Sequence, residues 1–139
     1  MKSAAILVAR LLFAFAFAQA AAFKFFFVGI DSTAAQISAV GFPLPTLLAW
    51  LAAFFEVALA IALLTGLLFR EAALAAAAYV LFLGFVFYGP AKWGGDLMAY
   101  GMFINHLVFI AGLLFAAVHG PGRKLTFERS LIGQNRREI

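Results

Sequence analysis

The chain has 139 residues, of which 66% are hydrophobic and 12% are charged, and its mean hydropathy is +1.06. These values are typical of an integral membrane protein and exclude a soluble catalytic domain. The chain contains no cysteine, which excludes disulfide exchange, thiolate metal sites and haem attachment through a CxxCH motif. Its formal net charge of +4 comes mostly from basic residues near the two termini, so it indicates membrane topology rather than a nucleic-acid partner.

Four apolar segments predict four transmembrane helices. In chain order they cover residues 4–27, 46–69, 72–88 and 97–118. Between the first two, Asp31 and Ser32 are typical of a helix N-cap, and Gly41 is typical of a helix end, which predicts a short interfacial helix. The fold class is therefore all-α, an integral membrane antiparallel four-helix bundle over residues 1–120, followed by a basic tail over residues 121–139.

The distribution of basic residues predicts the orientation of the bundle. An even number of spans brings both termini to one side of the membrane. That side carries Lys2, Arg70 and the basic tail, whereas the other side carries Lys24 and Lys92. By the positive-inside rule, both termini are expected in the cytoplasm. Lys24 and Lys92 are then interpreted as interfacial anchors on the outer side.

The N-terminal segment has a second interpretation. Lys2, an apolar stretch and the triplet Ala18-Gln19-Ala20 imitate a secretory signal with its cleavage site. However, Arg10 interrupts the apolar stretch, and the hydrophobic run continues well beyond the triplet. The segment is therefore expected to be a retained first span.

Glu56 lies within the apolar run from Thr46 to Phe69, which contains no other charge. A charge at mid-bilayer costs roughly 2.5–3.5 kcal/mol on insertion scales and usually marks a function. Counting about 1.5 Å per residue from the cytoplasmic ends, Gln19, Glu56 and the pair Asn105-His106 all lie roughly 20 Å deep. Because unpaired polar groups are costly there, we expect these side chains to contact one another inside the bundle.

This polar layer has two interpretations. It is either a clasp that holds the helices in register or a site that binds a quinone and handles its protons. In the second case Glu56 is the candidate proton acceptor, and Gln19, Asn105 and His106 are candidate ligands of the quinone head. Arg10 either extends to the cytoplasmic headgroups or turns inward to pair with Glu56. The sequence contains no spacing typical of a metal site.

Several motifs together resemble a known family. They are Arg10-Leu11-Leu12, Lys24, Gly41-Phe42-Pro43-Leu44-Pro45, Glu56, Gly66, Arg70, Ala111-Gly112-Leu113-Leu114 and His119-Gly120-Pro121-Gly122-Arg123. Their order and spacing resemble the DoxX family of small four-helix membrane proteins over nearly the whole chain. The sequence departs from the family in two places. Asn105-His106 stands where many members have Lys-Asn, which removes a positive charge from the fourth span. Thr126-Phe127-Glu128 replaces the usual Ser-Leu-Asp.

The resemblance implies a redox-linked role in the bacterial inner membrane. The family includes membrane subunits of thiosulfate-to-quinone oxidoreductases, and other members are associated with redox-defence and sulfur-transfer partners. We therefore expect a subunit of a redox-linked complex that interacts with quinone, with membrane lipids and other membrane or redox subunits as partners. The alternative is a non-catalytic accessory subunit that packs against a larger membrane complex. The sequence leaves open whether the protein is an enzyme.

Overall fold

The computed structural model describes residues 2–122 and 126, and within these residues it is helical, without β-strands. The main helices are α1 (Lys2–Ala22), α2 (Ile30–Ala39), α3 (Pro45–Thr65), α4 (Phe69–Tyr88) and α5 (Leu97–His119). A π-helical turn (Phe23–Phe27) extends α1, and a 3₁₀ turn (Pro90–Lys92) precedes α5. Four of these segments are long and apolar enough to cross a membrane. The predicted all-α membrane bundle is thus confirmed, while most of the predicted basic tail lies outside the described residues.

The connection between α3 and α4, residues 66–68, lies earlier in the chain than expected. Helix α3 ends at Thr65 because Gly66 adopts the left-handed conformation, with φ +78°, and its amide caps the carbonyl of Ala62. Helix α4 then begins at Phe69. Phe69 therefore belongs to the first turn of α4, whereas the sequence pattern had assigned it to the end of the second span.

The start of α5 is formed by a side-chain cap. The carboxylate of Asp96 accepts hydrogen bonds from the amides of Met98 (2.9 Å) and Ala99 (3.1 Å). Such a cap satisfies backbone donors that have no partner inside the helix. Trp93, in the preceding connection, donates its indole N–H to the carbonyl of Tyr88 at 2.8 Å. Together these bonds define how the chain turns from α4 into α5.

The four long helices pack mainly as two pairs, α1 with α3 and α4 with α5. Small residues allow this close packing, and the side chains of Ala49, Ala53, Ala73 and Ala76 are fully buried. Aromatic contacts join the two pairs: Phe13 and Phe17 of α1 pack against Phe109 of α5, with ring centroids 5.2 and 5.8 Å apart. Helix α2 lies against α3. A cavity remains between the pairs.

Arg10 joins the beginning of α1 to the end of α5. Its guanidinium Nη1 donates to the carbonyl of Pro121 at 3.1 Å, and the side chain is only 2% exposed. Arg10 therefore lies level with the end of α5, and the first two turns of α1 extend beyond that level. We call this side of the bundle the Arg10 end and the opposite side, where α1 ends and α5 begins, the Lys24 end.

Candidate functional site

The cavity between the helix pairs has a volume of about 550 Å³, within the range of pockets that bind small molecules. Its wall combines aromatic and aliphatic side chains with a group of polar ones. The polar and titratable residues are Gln19, Lys24, Thr33, Gln36, Glu56, Tyr79, Tyr88, Asn105 and His106. The four residues that the sequence assigned to one polar layer, Gln19, Glu56, Asn105 and His106, line the same cavity. They were expected to contact one another, but the described hydrogen bonds to Glu56 come from Lys24 and Tyr79 and not from the other three.

Glu56 is the most buried polar residue of this wall, with 2% of its surface exposed. Lys24 Nζ donates to Glu56 Oε1 at 2.9 Å and to Oε2 at 2.8 Å. The hydroxyl of Tyr79 donates to Glu56 Oε1 at 2.8 Å. The carboxylate of α3 is therefore held by a cation from the end of α1 and by a hydroxyl from α4. We call these three residues the Lys24–Glu56–Tyr79 cluster.

Tyr79 was not among the residues that the sequence singled out. It lies ten residues after Phe69, the start of α4, and Glu56 lies nine residues before Thr65, the end of α3. At about 1.5 Å per residue, both lie roughly 14–15 Å from the connection between the two helices. The signal that could have identified Tyr79 as a partner of Glu56 is a hydroxyl at the same depth as Glu56 in an alanine-rich helix.

Lys24 occupies a different position from the one expected. It was interpreted as an outer interfacial anchor, but it forms an ion pair with Glu56, and 21% of its side chain is exposed. The depth estimate assumed that the first span begins near Ala4, whereas Arg10 lies level with the end of α5. Lys24 follows Arg10 by about 21 Å along the helix. Measured from the Arg10 end, the backbone of Lys24 is therefore only one side-chain length farther away than Glu56.

Arg10 contacts a different part of the bundle from Glu56. The two interpretations of this residue were extension to the headgroups or pairing with Glu56. Its side chain is buried at the Arg10 end, with Pro121 as hydrogen-bond acceptor, while the described hydrogen bonds to Glu56 come from Lys24 and Tyr79. The cation that balances Glu56 thus comes from the Lys24 end.

The ring of His106 lies within hydrogen-bond distance of the backbone of its own helix. Its Nδ1 lies 2.7 Å from the carbonyl oxygen of Met102, so Nδ1 carries the hydrogen and Nε2 of a neutral ring is an acceptor. The ring packs against Tyr88, with centroids 5.3 Å apart. Gly84 of α4 lies directly behind it, since a Cβ there would be 3.2 Å from His106 Cβ. A close contact between α4 and α5 therefore holds His106 in the wall.

The cavity wall can both donate and accept hydrogen bonds. Two of the three N–H groups of Lys24 account for its bonds to Glu56, and the third can serve a ligand. Gln19 and Asn105 are exposed and contribute amide donors and acceptors. The ion pair contributes no net charge to the wall. This arrangement suits an uncharged ligand that has carbonyl or hydroxyl groups.

Comparison with protein families gives one match. The model of the DoxX family matches residues 5–89, which is more than half of the chain. The matched region includes nearly all of α1 together with α2, α3 and α4, and therefore the whole Lys24–Glu56–Tyr79 cluster. It stops before α5, which carries Asn105 and His106. Among curated proteins and among solved structures, no significant match was found.

Proposed function

Because the chain belongs to the DoxX family of small integral membrane proteins, we propose a function that suits such a protein. The proposal is that it binds a quinone in the cavity between its helix pairs. In this proposal the protein is the quinone-interacting subunit of a redox-linked membrane complex. The observation that carries it is the Lys24–Glu56–Tyr79 cluster, a buried carboxylate held by three hydrogen bonds in the wall of a cavity of about 550 Å³. Intramembrane ionisable groups that line a cavity are typical of functional sites.

The residues of the wall suit a quinone head. Such a head is a flat ring whose oxygens need hydrogen-bond donors, and Lys24, Gln19 and Asn105 can supply them. Phe17 and Phe109 offer aromatic surface on the same cavity. A bound quinone would supply two-electron redox chemistry coupled to protons. Oxidation of the quinol would require wall groups that accept its hydroxyl protons, and reduction of the quinone would require groups that return them.

Two side chains can take up a proton in this proposal. Glu56 is the candidate proton acceptor, and Tyr79 and Lys24 orient its carboxylate. His106 offers a second acceptor at Nε2, because its Nδ1 hydrogen is used by Met102. Asn105 binds and orients the ligand from the neighbouring position on α5. The two acceptors differ in access. Glu56 is buried and already accepts hydrogen bonds, whereas His106 is half-buried.

The test is to measure the quinone that co-purifies with the gently solubilised protein by mass spectrometry, and to titrate a chain-free quinone into the protein. Glu56→Gln and Lys24→Gln are compared with Asp31→Asn and Lys92→Gln, which change the same kinds of side chain at exposed positions outside the cavity wall. Size-exclusion chromatography and circular dichroism verify that each variant is folded. Partner subunits are identified in the same preparations.

Quinone is expected in the wild type and in both control variants, and it should be lost from Glu56→Gln and Lys24→Gln. If the wild type neither retains quinone nor binds the added one, the proposal is wrong. Partner subunits retained without quinone would instead support an accessory subunit. The exposed apolar side chains of the four spans do not favour that alternative, since lipid contact also explains them.

We also propose that the Arg10 end faces the cytoplasm of a bacterial cell and that the membrane is its inner membrane. Arg70 lies at the Arg10 end, whereas one of the two lysines of the other end, Lys24, is neutralised by Glu56. A reporter fused after Ile139 that is active only in the cytoplasm tests the orientation. Activity of a reporter that requires the periplasm would reverse it.

A further inference from the structure

An apolar groove of about 280 Å³ adjoins the polar cavity. Its wall comes from α2, α3, α4 and the connection that follows α2. Five residues line both spaces, namely Ile37, Ala52, Tyr79, Leu83 and Phe87. The residues that line the groove alone are Phe42, Leu48, Leu51, Phe55, Phe82 and Val86. The two spaces thus share part of their walls, and every residue that lines the groove, Tyr79 apart, is apolar.

Tyr79 forms the boundary between the two parts. Its hydroxyl donates to Glu56 at 2.8 Å on the side of the cavity. Its ring packs edge-on against Phe55 of the groove, with centroids 5.1 Å apart. The polar cavity and the apolar groove therefore meet at one side chain, as the polar and apolar parts of a site would for a ligand with a polar head and an apolar chain.

The groove opens on the membrane-facing surface of the bundle. Leu51 and Phe82 are 55% and 51% exposed, and both line the groove. Phe42, which follows α2, packs against Phe82 with ring centroids 5.8 Å apart and closes one edge. An apolar chain can therefore lie between α3 and α4 and continue into the lipid without crossing a polar surface.

We propose that this groove holds the isoprenoid chain of a lipid quinone whose head lies in the polar cavity. The inference rests on the proposed function and adds where the chain binds and how the ligand enters, namely sideways from the bilayer between α3 and α4. Lipid tails are as apolar as the groove, so the chain gains packing contacts rather than hydrophobic transfer. The other occupants, a phospholipid acyl chain or a second copy of this protein, are outcomes of the test.

A second apolar hollow provides a matched control. It has a volume of about 450 Å³ between α1 and α3, and it shares no lining residue with the polar cavity. Val57 lines this hollow, and Val86 lines the groove but not the cavity. Val86→Trp and Val57→Trp therefore fill two apolar spaces with the same change of side chain, and only the first of these spaces shares wall residues with the cavity.

The experiment measures the affinity of the full chain, in nanodiscs of quinone-free phospholipid, for two quinones that share a head. One has no chain and the other has a short isoprenoid chain. The wild type is expected to bind the second roughly tenfold more tightly. Val86→Trp should remove this ratio without changing the affinity for the chain-free quinone, and Val57→Trp should change neither value.

Three results would contradict the inference. If Val86→Trp keeps the affinity ratio, the chain lies elsewhere and the quinone site itself stands. If the wild type shows no preference for the chain, the groove is occupied by phospholipid or by a second copy of the protein. If neither quinone binds to the wild type, the proposed function is wrong, and the inference that rests on it is wrong as well.

A photoreactive group at the end of the isoprenoid chain provides a measurement on the wild type, which covers the case in which a variant does not fold. Cross-links are expected in peptides that contain Leu51 or Phe82. Cross-links confined to peptides around Val57 would overturn the inference.

Discussion

The ammonium group of Lys24, at the π-helical end of α1, lies within 2.9 Å of both carboxylate oxygens of Glu56, in the middle of α3. This ion pair connects α1 with α3, two helices that also pack directly against each other. Because Glu56 is 2% exposed and the Lys24 side chain 21% exposed, the pair is largely protected from water. Removal of either partner therefore leaves a charge without compensation in an apolar environment.

Glu56→Gln should destabilise the bundle. The substitution leaves the Lys24 ammonium without its counter-charge, and breaking a buried pair in this way costs roughly 3 kcal/mol of unfolding free energy. Unfolding in mixed micelles, followed by circular dichroism, measures the loss. Asp31→Asn, at an exposed position of α2, should have little effect. Equal losses in the two variants would contradict a structural contribution of the ion pair.

Lys24 and Glu56 should be energetically coupled. In a double-mutant cycle with Lys24→Met and Glu56→Leu, the double variant should lose less stability than the sum of the single variants, by about 1–3 kcal/mol. The reason is that the double variant contains neither charge, whereas each single variant leaves one behind. Lys92→Met is the control for Lys24→Met. Additive losses would mean that the two charges do not interact.

Tyr79→Phe should lower stability less than Glu56→Gln does. It removes one hydrogen bond to a charged acceptor, which contributes about 1.5–3 kcal/mol, and it leaves the ion pair intact. Tyr100→Phe, at an exposed position of α5, is the matched control and should be neutral within about 0.5 kcal/mol. The same unfolding measurement compares the two. An equal, small effect in both would indicate that the Tyr79 hydroxyl does not contribute to stability.

Gly84→Ala and Gly101→Ala should change the stability of the protein in opposite directions. A Cβ at Gly84 would lie 3.2 Å from His106 Cβ, closer than an ordinary contact. Because Cβ is the first atom of the side chain, it cannot rotate away, and α5 must shift by a few tenths of an ångström. A Cβ at Gly101 has no heavy atom within 4 Å, and alanine in a helix is favoured over glycine by about 0.5–1 kcal/mol. Gly84→Ala should therefore lower the midpoint of thermal unfolding, and Gly101→Ala should raise it.

A raised midpoint for Gly84→Ala would show that α4 and α5 are less tightly packed around His106 than the distance indicates. The quinone titration of this variant adds a second readout. Since His106 lines the cavity, a shift of α5 should weaken binding of the chain-free quinone even where the protein remains folded.

Much of the fold could be predicted from the sequence. Apolar runs of about 20 residues leave few alternatives to membrane-spanning helices, because backbone polar groups must be satisfied within the lipid. The end of α3 was less predictable, since the hydrophobic run continues through Gly66 to Phe69. Only the backbone conformation of Gly66, with φ +78°, shows where the helix stops.

The candidate site was predictable in part. Helical rise alone brought Gln19, Glu56, Asn105 and His106 to one level, and all four line the same cavity. Depth does not determine the direction in which a side chain points, so the partners of Glu56 could not be derived. Lys24 and Tyr79 come from helices whose relative position depends on tertiary packing.

The sequence by itself determined that the protein crosses the membrane as four helices and that a carboxylate is buried among them. These properties depend on composition and on periodicity along one chain, which the sequence contains directly. The tertiary structure decided that Lys24 pairs with Glu56, that Arg10 joins Pro121, and that an apolar groove adjoins the polar cavity. These relationships depend on how far one helix slides and rotates against another, and a shift of one helical turn, about 5.4 Å, would have changed every partner.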